Sequence, residues 1–353
     1  MPDLDVAVVI VSYRSAPLTI DCLRSLEEER STPGLTIRVV VVDNASGDML
    51  ALERAVAEHG WRSWVSLVQA PRNGGFAYGN NLGIELAYSL RPPAYVYLLN
   101  PDTEVRPGAI GALVRFLEAH PDVGIAGSSF ENQDGSEWPI AFRFPTLLSE
   151  LDSGLQFGLV SRLLRRWVVA RHMSHTSQPV DWIAGASMLI RPAVLETSGG
   201  LDESYFLYFE ETDFCFRARR AGFRTWYVPE SRVMHIAGQS TSVTERNLAP
   251  KRLPAYWFES RRRYFALAFG VRKAIVIDVV ALLAHSFGSI KRIALGRTGT
   301  AVPHFIRDLV RHSVLWRRNR KFAPAQCFRP PAPHAGLRVS VAPASARHTG
   351  AAS

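Results

Sequence analysis

The chain has 353 residues, 47% of them hydrophobic and 21% charged, enough to bury a substantial core, which excludes a disordered chain or a crosslinked miniprotein. Its formal charge of +9, taken whole, points to nucleic acid or an anionic membrane, but the charge is unevenly placed. Residues 1–245 hold 21 Arg, no Lys and 29 Asp+Glu, a net of −8, whereas residues 246–353 hold 20 Lys+Arg against Glu259, Asp278 and Asp308, a net of +17.

Cys22, Cys215 and Cys327 are scattered and odd in number, which leaves no disulfide framework or C-x-x-C metal site and fits a reducing compartment. The N-terminus has Asp3 and Asp5 ahead of the apolar run 6–11, without the basic start and longer apolar stretch of a signal peptide. The run reads as a buried strand, and the expected location is cytoplasmic.

From there to about Gly127, short β-branched runs alternate with amphipathic segments of helix length, the pattern of βαβ units in a doubly wound, mostly parallel α/β sheet. Strands are predicted over 6–11, 37–42, 64–68, 95–99 and 123–126. Helices are predicted over 17–29, 49–59, 76–89 and 108–119, the last with Pro107 in its first turn. Ligands bind such sheets at the carboxyl ends of the strands. Those ends read Ser12-Tyr13-Arg14, Asp43-Asn44-Ala45-Ser46, Arg72-Asn73-Gly74-Gly75-Phe76 and Asn100-Pro101-Asp102-Thr103, a set of polar clusters suited to a nucleotide. Singly, Asp43-Asn44 also fits a helix cap, and Asn73-Gly74-Gly75 a tight turn. Asp102 directly follows a buried apolar strand and must be solvated, paired or metal-bound; a hard divalent cation shared with phosphates is its natural partner.

Residues 128–180 are less regular, with a polar turn at 132–135 and a basic amphipathic stretch at 159–171. A second acidic cluster, Glu210-Glu211-Thr212-Asp213, follows the aromatic run 205–209. Crowded carboxylates beside aromatic rings raise one another's pKa, and a raised carboxylate is a competent general base. On a helix starting there, Glu210 and Asp213 share a face while Glu211 points elsewhere. His235 is a further candidate ligand. The apolar stretch 264–290 is interrupted by Arg272, Lys273 and Asp278, and its longest uncharged run, 279–290, falls short of the roughly 20 residues of a span. With Arg261-Arg262-Arg263, Lys291-Arg292 and the basic run 317–321 flanking it, the region reads as helices lying in an anionic membrane interface, the alternative being a basic helical cap packed on the domain. The Ala/Pro/Arg-rich tail from Pro324 reads as disordered. The expected domains are therefore 1–245, a basic helical extension at 246–323, and a tail at 324–353.

Taken in order, VSYRS at 11–15, VVDNAS at 41–46, RNGGFAYGNNLG at 72–83, LLNPDT at 98–103, DWIAGASMLIRP at 181–192 and GGLDESYFLYFEETDFCFRARRAG at 199–222 resemble inverting nucleotide-sugar glycosyltransferases of family 2 with the GT-A fold, especially the bacterial rhamnosyltransferase-like branch. The resemblance covers roughly residues 5–240 and rests on the ordered set. It implies that Asp43 recognises the donor base, with Ser12 and Tyr13 beside the same nucleoside, and that Asn73 and Gly75 hold ribose and diphosphate. Asn100-Pro101-Asp102 matches the family's metal-binding D-x-D, with one carboxylate where two are usual, so Asp102 would share Mg²⁺ or Mn²⁺ with the donor phosphates and His235. Glu211 stands at the catalytic-base position, with Glu210 as the competing group and Asp213 in support. Trp182, Gly185 and Ala186 would flank the sugar and acceptor.

The expected reaction is a single displacement at the anomeric carbon, with dTDP-L-rhamnose as donor and a polyprenyl-diphosphate-linked saccharide as acceptor. The expected setting is peripheral, on the inner face of the membrane. A family 2 enzyme using a UDP-hexose is one alternative. A sugar-phosphate nucleotidyltransferase is another, but it would open with a Gly-rich, basic loop where this chain reads Ser12-Tyr13-Arg14-Ser15. A sequence-specific nucleic-acid protein is disfavoured, because the body is acidic.

Overall fold

The computed structural model describes residues 3–132, 136–171, 173–235, 251–296, 302–316, 322 and 339–340. In chain order the first elements are β1 (Leu4–Ser12), α1 (Ala16–Glu29), β2 (Leu35–Asp43), α2 (Met49–Glu58), β3 (Val65–Gln69), α3 (Gly75–Leu90), β4 (Tyr95–Leu99), β5 (Thr103–Val105), α4 (Ala109–Ala119) and β6 (Val123–Glu131). Next come β7 (Glu137–Trp138), β8 (Ala141–Phe142), α5 (Leu147–Leu155), α6 (Gly158–Leu163), β9 (Gln178–Val180), β10 (Trp182–Ile183), β11 (Ser187–Ile190), α7 (Pro192–Ser198), α8 (Glu210–Arg220) and β12 (Arg224–His235). The chain closes with α9 (Ala255–Phe269), α10 (Val271–Ala294), α11 (Phe305–His312) and β13 (Val339–Ser340).

The sheet runs β13-β3-β2-β1-β4-β11-β6-β12-β5. Its first half, β3-β2-β1-β4, is parallel, and the apolar runs predicted there are buried on both faces, as helices on either side of a parallel sheet require. Beyond β4 the sheet is mixed: β11 enters antiparallel between β4 and β6, and β12 pairs parallel with β6. Helix α3 lies close on the sheet because Gly79 and Gly83 face Val11 and Val9, leaving no room for a Cβ. Capping is by tertiary contact. Asp48 Oδ2 accepts the Ser15 and Ala16 N–H groups at the start of α1 (2.9 and 3.1 Å), and buried Glu29 accepts those of Gly108 and Ile110 at the start of α4. Pro107 precedes the Gly108 cap, so it lies just outside the helix rather than in its first turn.

One expectation about the C-terminal region needs correction. Asp278 does not interrupt the apolar stretch, because α10 is continuous from Val271 to Ala294 and hides Asp278 in an ion pair with Arg261 (2.6 Å). It is the one described helix long and apolar enough to cross a membrane by length and composition, with a third of its apolar window buried inside the protein. The three guanidinium groups of Arg261-Arg262-Arg263 are engaged inside the protein. Arg261 reaches Glu150 and Asp278, Arg262 donates to the His312 carbonyl, and Arg263 pairs with Asp202. The basic stretch predicted at 159–171 is helical only over α6. Most of the 132–135 turn, the 317–321 run, Cys327 and all of the tail except β13 lie outside the described residues.

Candidate active site

Register sets the cleft. Ser12 pairs with Asp43, Asp43 with Gln69, and Ile10 with Leu99, so the polar ends of β1, β2, β3 and β4 stand side by side. Asp43 is fully buried. Its Oδ1 accepts the N–H and hydroxyl of Ser46 (2.9 and 2.5 Å), while Oδ2 has no hydrogen-bond partner among the described residues. A buried acceptor left open costs free energy unless a ligand donor meets it, and the ring N–H of a pyrimidine is such a donor.

Asn44 links this cluster to the next. Its Nδ2 donates to Asn73 Oδ1 and to the Gly75 carbonyl (both 3.1 Å), and the Gly75 N–H donates to Asn73 Oδ1 (3.0 Å). The sequence places Asn44 in the polar cluster 43–46 and offers it as part of a helix cap, without marking it as the link to Asn73 and Gly75. Gly75 has φ +84°, and a Cβ there would lie 1.9 Å from the Phe206 carbonyl oxygen, which accepts the Phe76 N–H (3.0 Å). Gly75→Ala is therefore expected to cost about 1–3 kcal/mol in stability, measurable as a lower melting temperature.

The Phe206 contact ties the Asn73–Gly75 loop to the acidic cluster. Tyr208 and Phe209 are consecutive left-handed residues (φ 71° and 68°) just ahead of α8, a strained pair that the surroundings must hold. Helix α9 does so. Ser260 donates to the Leu207 carbonyl (3.1 Å); the Phe209 ring lies 5.8 Å from Trp257 and 5.7 Å from Tyr264, and Tyr256 packs on Phe206 and Tyr208. The strained turn delivers Glu210 and Glu211 to the N-terminus of α8. Each has an Oε2 that is buried and without a hydrogen-bond partner among the described residues. Burial pushes both carboxyls above the usual Glu range. The charge of Glu211 adds to the rise of Glu210, and backbone hydrogen bonds partly offset the rise of both. Two carboxylates so placed divide their roles, one holding a proton and the other accepting one.

Gly185 sits between Phe76 and Glu211: a Cβ there would lie 2.8 Å from the Phe76 ring and 3.9 Å from Glu211 Cβ. The neighbouring Ala186 carbonyl accepts the Asn100 N–H (3.1 Å), which carries the cleft on to Asn100-Pro101-Asp102. Asp102 is buried, with Oδ1 3.3 Å from His235 Nε2. Strand β12 makes that contact by pairing His235 with Thr103, and Phe130 and Trp138 flank the imidazole at 5.2 and 5.5 Å. Among the described residues no group of three or more His, Cys, Asp or Glu side chains could hold a metal ion. An oxygen and a nitrogen 3.3 Å apart nonetheless fit neighbouring positions on one divalent ion with bonds of about 2.0–2.1 Å, the remaining positions falling to substrate phosphates and water.

Other predicted site residues lie elsewhere or are otherwise engaged. Asp213 turns to Arg217 (2.8 Å), whose guanidinium also donates to the Ser198 and Gly200 carbonyls; it thus fixes the loop between α7 and α8. Ser12 is buried, its hydroxyl bonded to Ser15 and Thr19, whereas Tyr13 beside it is exposed. Trp182 stacks on Phe142 and donates Nε1–H to the Arg143 carbonyl (2.9 Å).

Comparison with known proteins gives the family and the fold. The family model for "Glycosyltransferase like family 2" matches residues 2–250. An N-acetylglucosaminyl-diphospho-decaprenol L-rhamnosyltransferase of Mycobacterium tuberculosis is 30% identical over 245 residues, 66% of this chain and 76% of that protein. The low-salt glycan biosynthesis hexosyltransferase Agl10 of Haloferax volcanii is 29% identical over 224 residues, 61% of this chain and 62% of that protein. Among solved structures, GalNAc-T7 crystallised with UDP, GalNAc and Mn²⁺ superposes with a TM-score of 0.54 at 16% identity, over 87% of this chain and 56% of that one. The fold is thus of the GT-A type.

Proposed function

Because the chain belongs to glycosyltransferase-like family 2, we propose that it is an inverting transferase moving L-rhamnose from dTDP-L-rhamnose to a hydroxyl of a polyprenyl-diphosphate-linked saccharide. The observation that carries this reading is the pair Glu210 and Glu211, held on a strained turn against Gly185 in the cleft that also contains Asp43, Gly75 and Asp102. The rhamnosyltransferase relative supports L-rhamnose as the sugar and a decaprenol-linked acceptor.

Burial raises both carboxyls, so one of the pair holds a proton; Glu211, which faces Gly185 and stands at the base position of the family motif, accepts one from the acceptor hydroxyl as that oxygen attacks the anomeric carbon. The bond to the donor phosphate breaks on the opposite face, so the configuration inverts. Asp43 Oδ2 accepts from the ring N–H of thymine, and the Asn44–Asn73–Gly75 network shapes the loop beneath ribose and diphosphate. Asp102 and His235 are the residues that would hold Mg²⁺ or Mn²⁺, which when bound neutralises charge on the departing diphosphate.

The test is turnover with dTDP-L-rhamnose, a polyprenyl-diphosphate saccharide and Mn²⁺, followed by NMR of the new linkage; retention of the donor's anomeric configuration would exclude single displacement. Asp102→Ala and treatment with a chelator should each abolish turnover while leaving the circular-dichroism spectrum unchanged. Since Glu211 works as the anion and burial raises its pKa, kcat/KM should fall as pH drops through a limb lying above the roughly 4.3 of an ordinary Glu. A pH–rate profile checks this. The similarity to the Haloferax hexosyltransferase favours one second reading, the same chemistry with a UDP-hexose donor.

The lipid-linked acceptor implies work at a membrane surface, on the cytoplasmic side where nucleotide sugars are made, with the basic C-terminal region as the contact. The buried Arg261–Asp278 pair on α10 favours a helix lying against the body over one that leaves it to span the bilayer.

A further inference from the structure

We infer that the outward face of α10, together with α6, is a membrane-docking surface that inserts an apolar stripe among the headgroups of an anionic bilayer. The two faces of α10 differ sharply. Inward, Ala274, Ile277, Asp278, Ala281, Ala284 and Gly288 are buried, and the small residues let α5 approach until a Cβ on Gly288 would overlap the Gly154 carbonyl oxygen. Outward, Val276, Val279, Leu283, Phe287, Ile290 and Ile293 recur at three- and four-residue spacing and are exposed, Leu283 by 68% and Ile290 by 67%. That stripe follows one side of the helix for most of its length.

The patch continues beyond α10. Lys291 Nζ donates to the Leu155 and Gln156 carbonyls (2.6 and 2.5 Å) and lies 5.4 Å from the Phe157 ring, while Arg292 donates to Gln156 Oε1 (3.0 Å). The residues so held lead directly into α6, where Leu163 is 78% exposed. A contiguous apolar surface of this kind marks a contact site.

Charge selects the occupant. Arg272 and Lys273 are exposed at the start of α10, and Arg162, Arg165 and Arg166 are exposed in and just after α6. Asp278 and Asp308, two of the three acidic residues beyond position 245, are buried and ion-paired. A cavity of about 270 Å³ beside the C-terminal half of α10 places Arg292 and Arg307 among a lining that also includes Val302, Phe305 and Ile306. An apolar stripe edged by guanidinium groups matches the boundary between acyl chains and anionic headgroups.

This inference rests on the proposed lipid-linked acceptor for its purpose but not for its test, since vesicle binding needs neither donor nor acceptor. Full-length protein should sediment with phosphatidylcholine vesicles containing phosphatidylglycerol at least about tenfold more strongly than with phosphatidylcholine alone. The double variant Leu283→Glu/Phe287→Glu should lose about tenfold or more of that binding. Both positions face solvent, so its circular-dichroism spectrum should match that of the parent. In the gentler variant Phe287→Trp, tryptophan emission should move to shorter wavelength on adding anionic vesicles. Undiminished binding by the double variant would overturn the inference, because basic charge alone would then explain sedimentation. An unshifted Phe287→Trp emission would overturn it too, as would a wild-type dimer that ignores vesicles and is split by the double variant, which would assign the face to a second copy of the chain.

Discussion

Glu211→Gln is expected to lower kcat by about 10²–10⁴-fold, the usual worth of a positioned general base, with no loss of melting temperature. Glu210→Gln, by contrast, should keep activity within about tenfold of wild type, because a glutamine still resembles the protonated acid assigned to that position. Both substitutions should also act on stability, and in the same direction, since burial raises both carboxyls. Burial raises the pKa of Glu210 in the folded protein, so its contribution to stability is complete below the unfolded-state value of about 4.3 and is lost as pH rises through the higher folded value. Glu210→Gln removes that loss. Its melting temperature should exceed that of wild type at pH 8, and the difference should close near pH 4. Reversed roles, with Glu210→Gln inactive and Glu211→Gln active, would make Glu210 the base.

Arg261→Ala is expected to destabilise the protein by about 3–5 kcal/mol, the cost of removing one partner from a buried ion pair. Arg261 donates to Glu150 Oε2 (2.6 Å) and Asp278 Oδ1 (2.6 Å), and Asp278 Oδ2 also accepts the Val314 N–H (2.7 Å). Burial would lower the Arg261 pKa, but the two carboxylates outweigh it and hold the guanidinium charged. Truncation leaves Asp278, only 1% exposed, without its counter-charge at the junction of α5, α9 and α10. A fall in melting temperature of roughly 10 °C would follow at about 2–4 °C per kcal/mol. Combining Arg261→Met with Asp278→Asn should recover part of the loss, since the neutral pair keeps the Val314 bond, while Glu150 still lacks its partner. Calorimetry on the single and double variants checks both statements.

Much of this architecture is legible in the sequence because it is written in local pattern. The β-branched runs ending at Val11, Val42 and Leu99 are buried on both faces and could hardly be anything but parallel strands, and the polar residue after each run lies at the ligand edge. Charges whose meaning depends on distant partners are the part that reads wrongly. Asp278 looks like a break in an apolar helix, and Arg261-Arg262-Arg263 like a surface flank, until Glu150, Asp202 and the His312 carbonyl are brought against them. Helical spacing places Glu210 with Asp213, but Arg217 draws Asp213 away, and burial together with mutual repulsion couples Glu210 to Glu211 instead. Residues 128–180 resist reading because strands of two or three residues, such as β7, β8 and β10, are too short to carry a period.

The most direct test is a donor panel. Purified protein with Mn²⁺ and a polyprenyl-diphosphate-linked N-acetylglucosamine acceptor would be given dTDP-L-rhamnose or one of several UDP-hexoses, and the lipid product and released nucleotide measured by mass spectrometry. The predicted result is a lipid product heavier by one deoxyhexose, with dTDP released in equal amount, from dTDP-L-rhamnose alone. Turnover with a UDP-hexose and none with dTDP-L-rhamnose would contradict it.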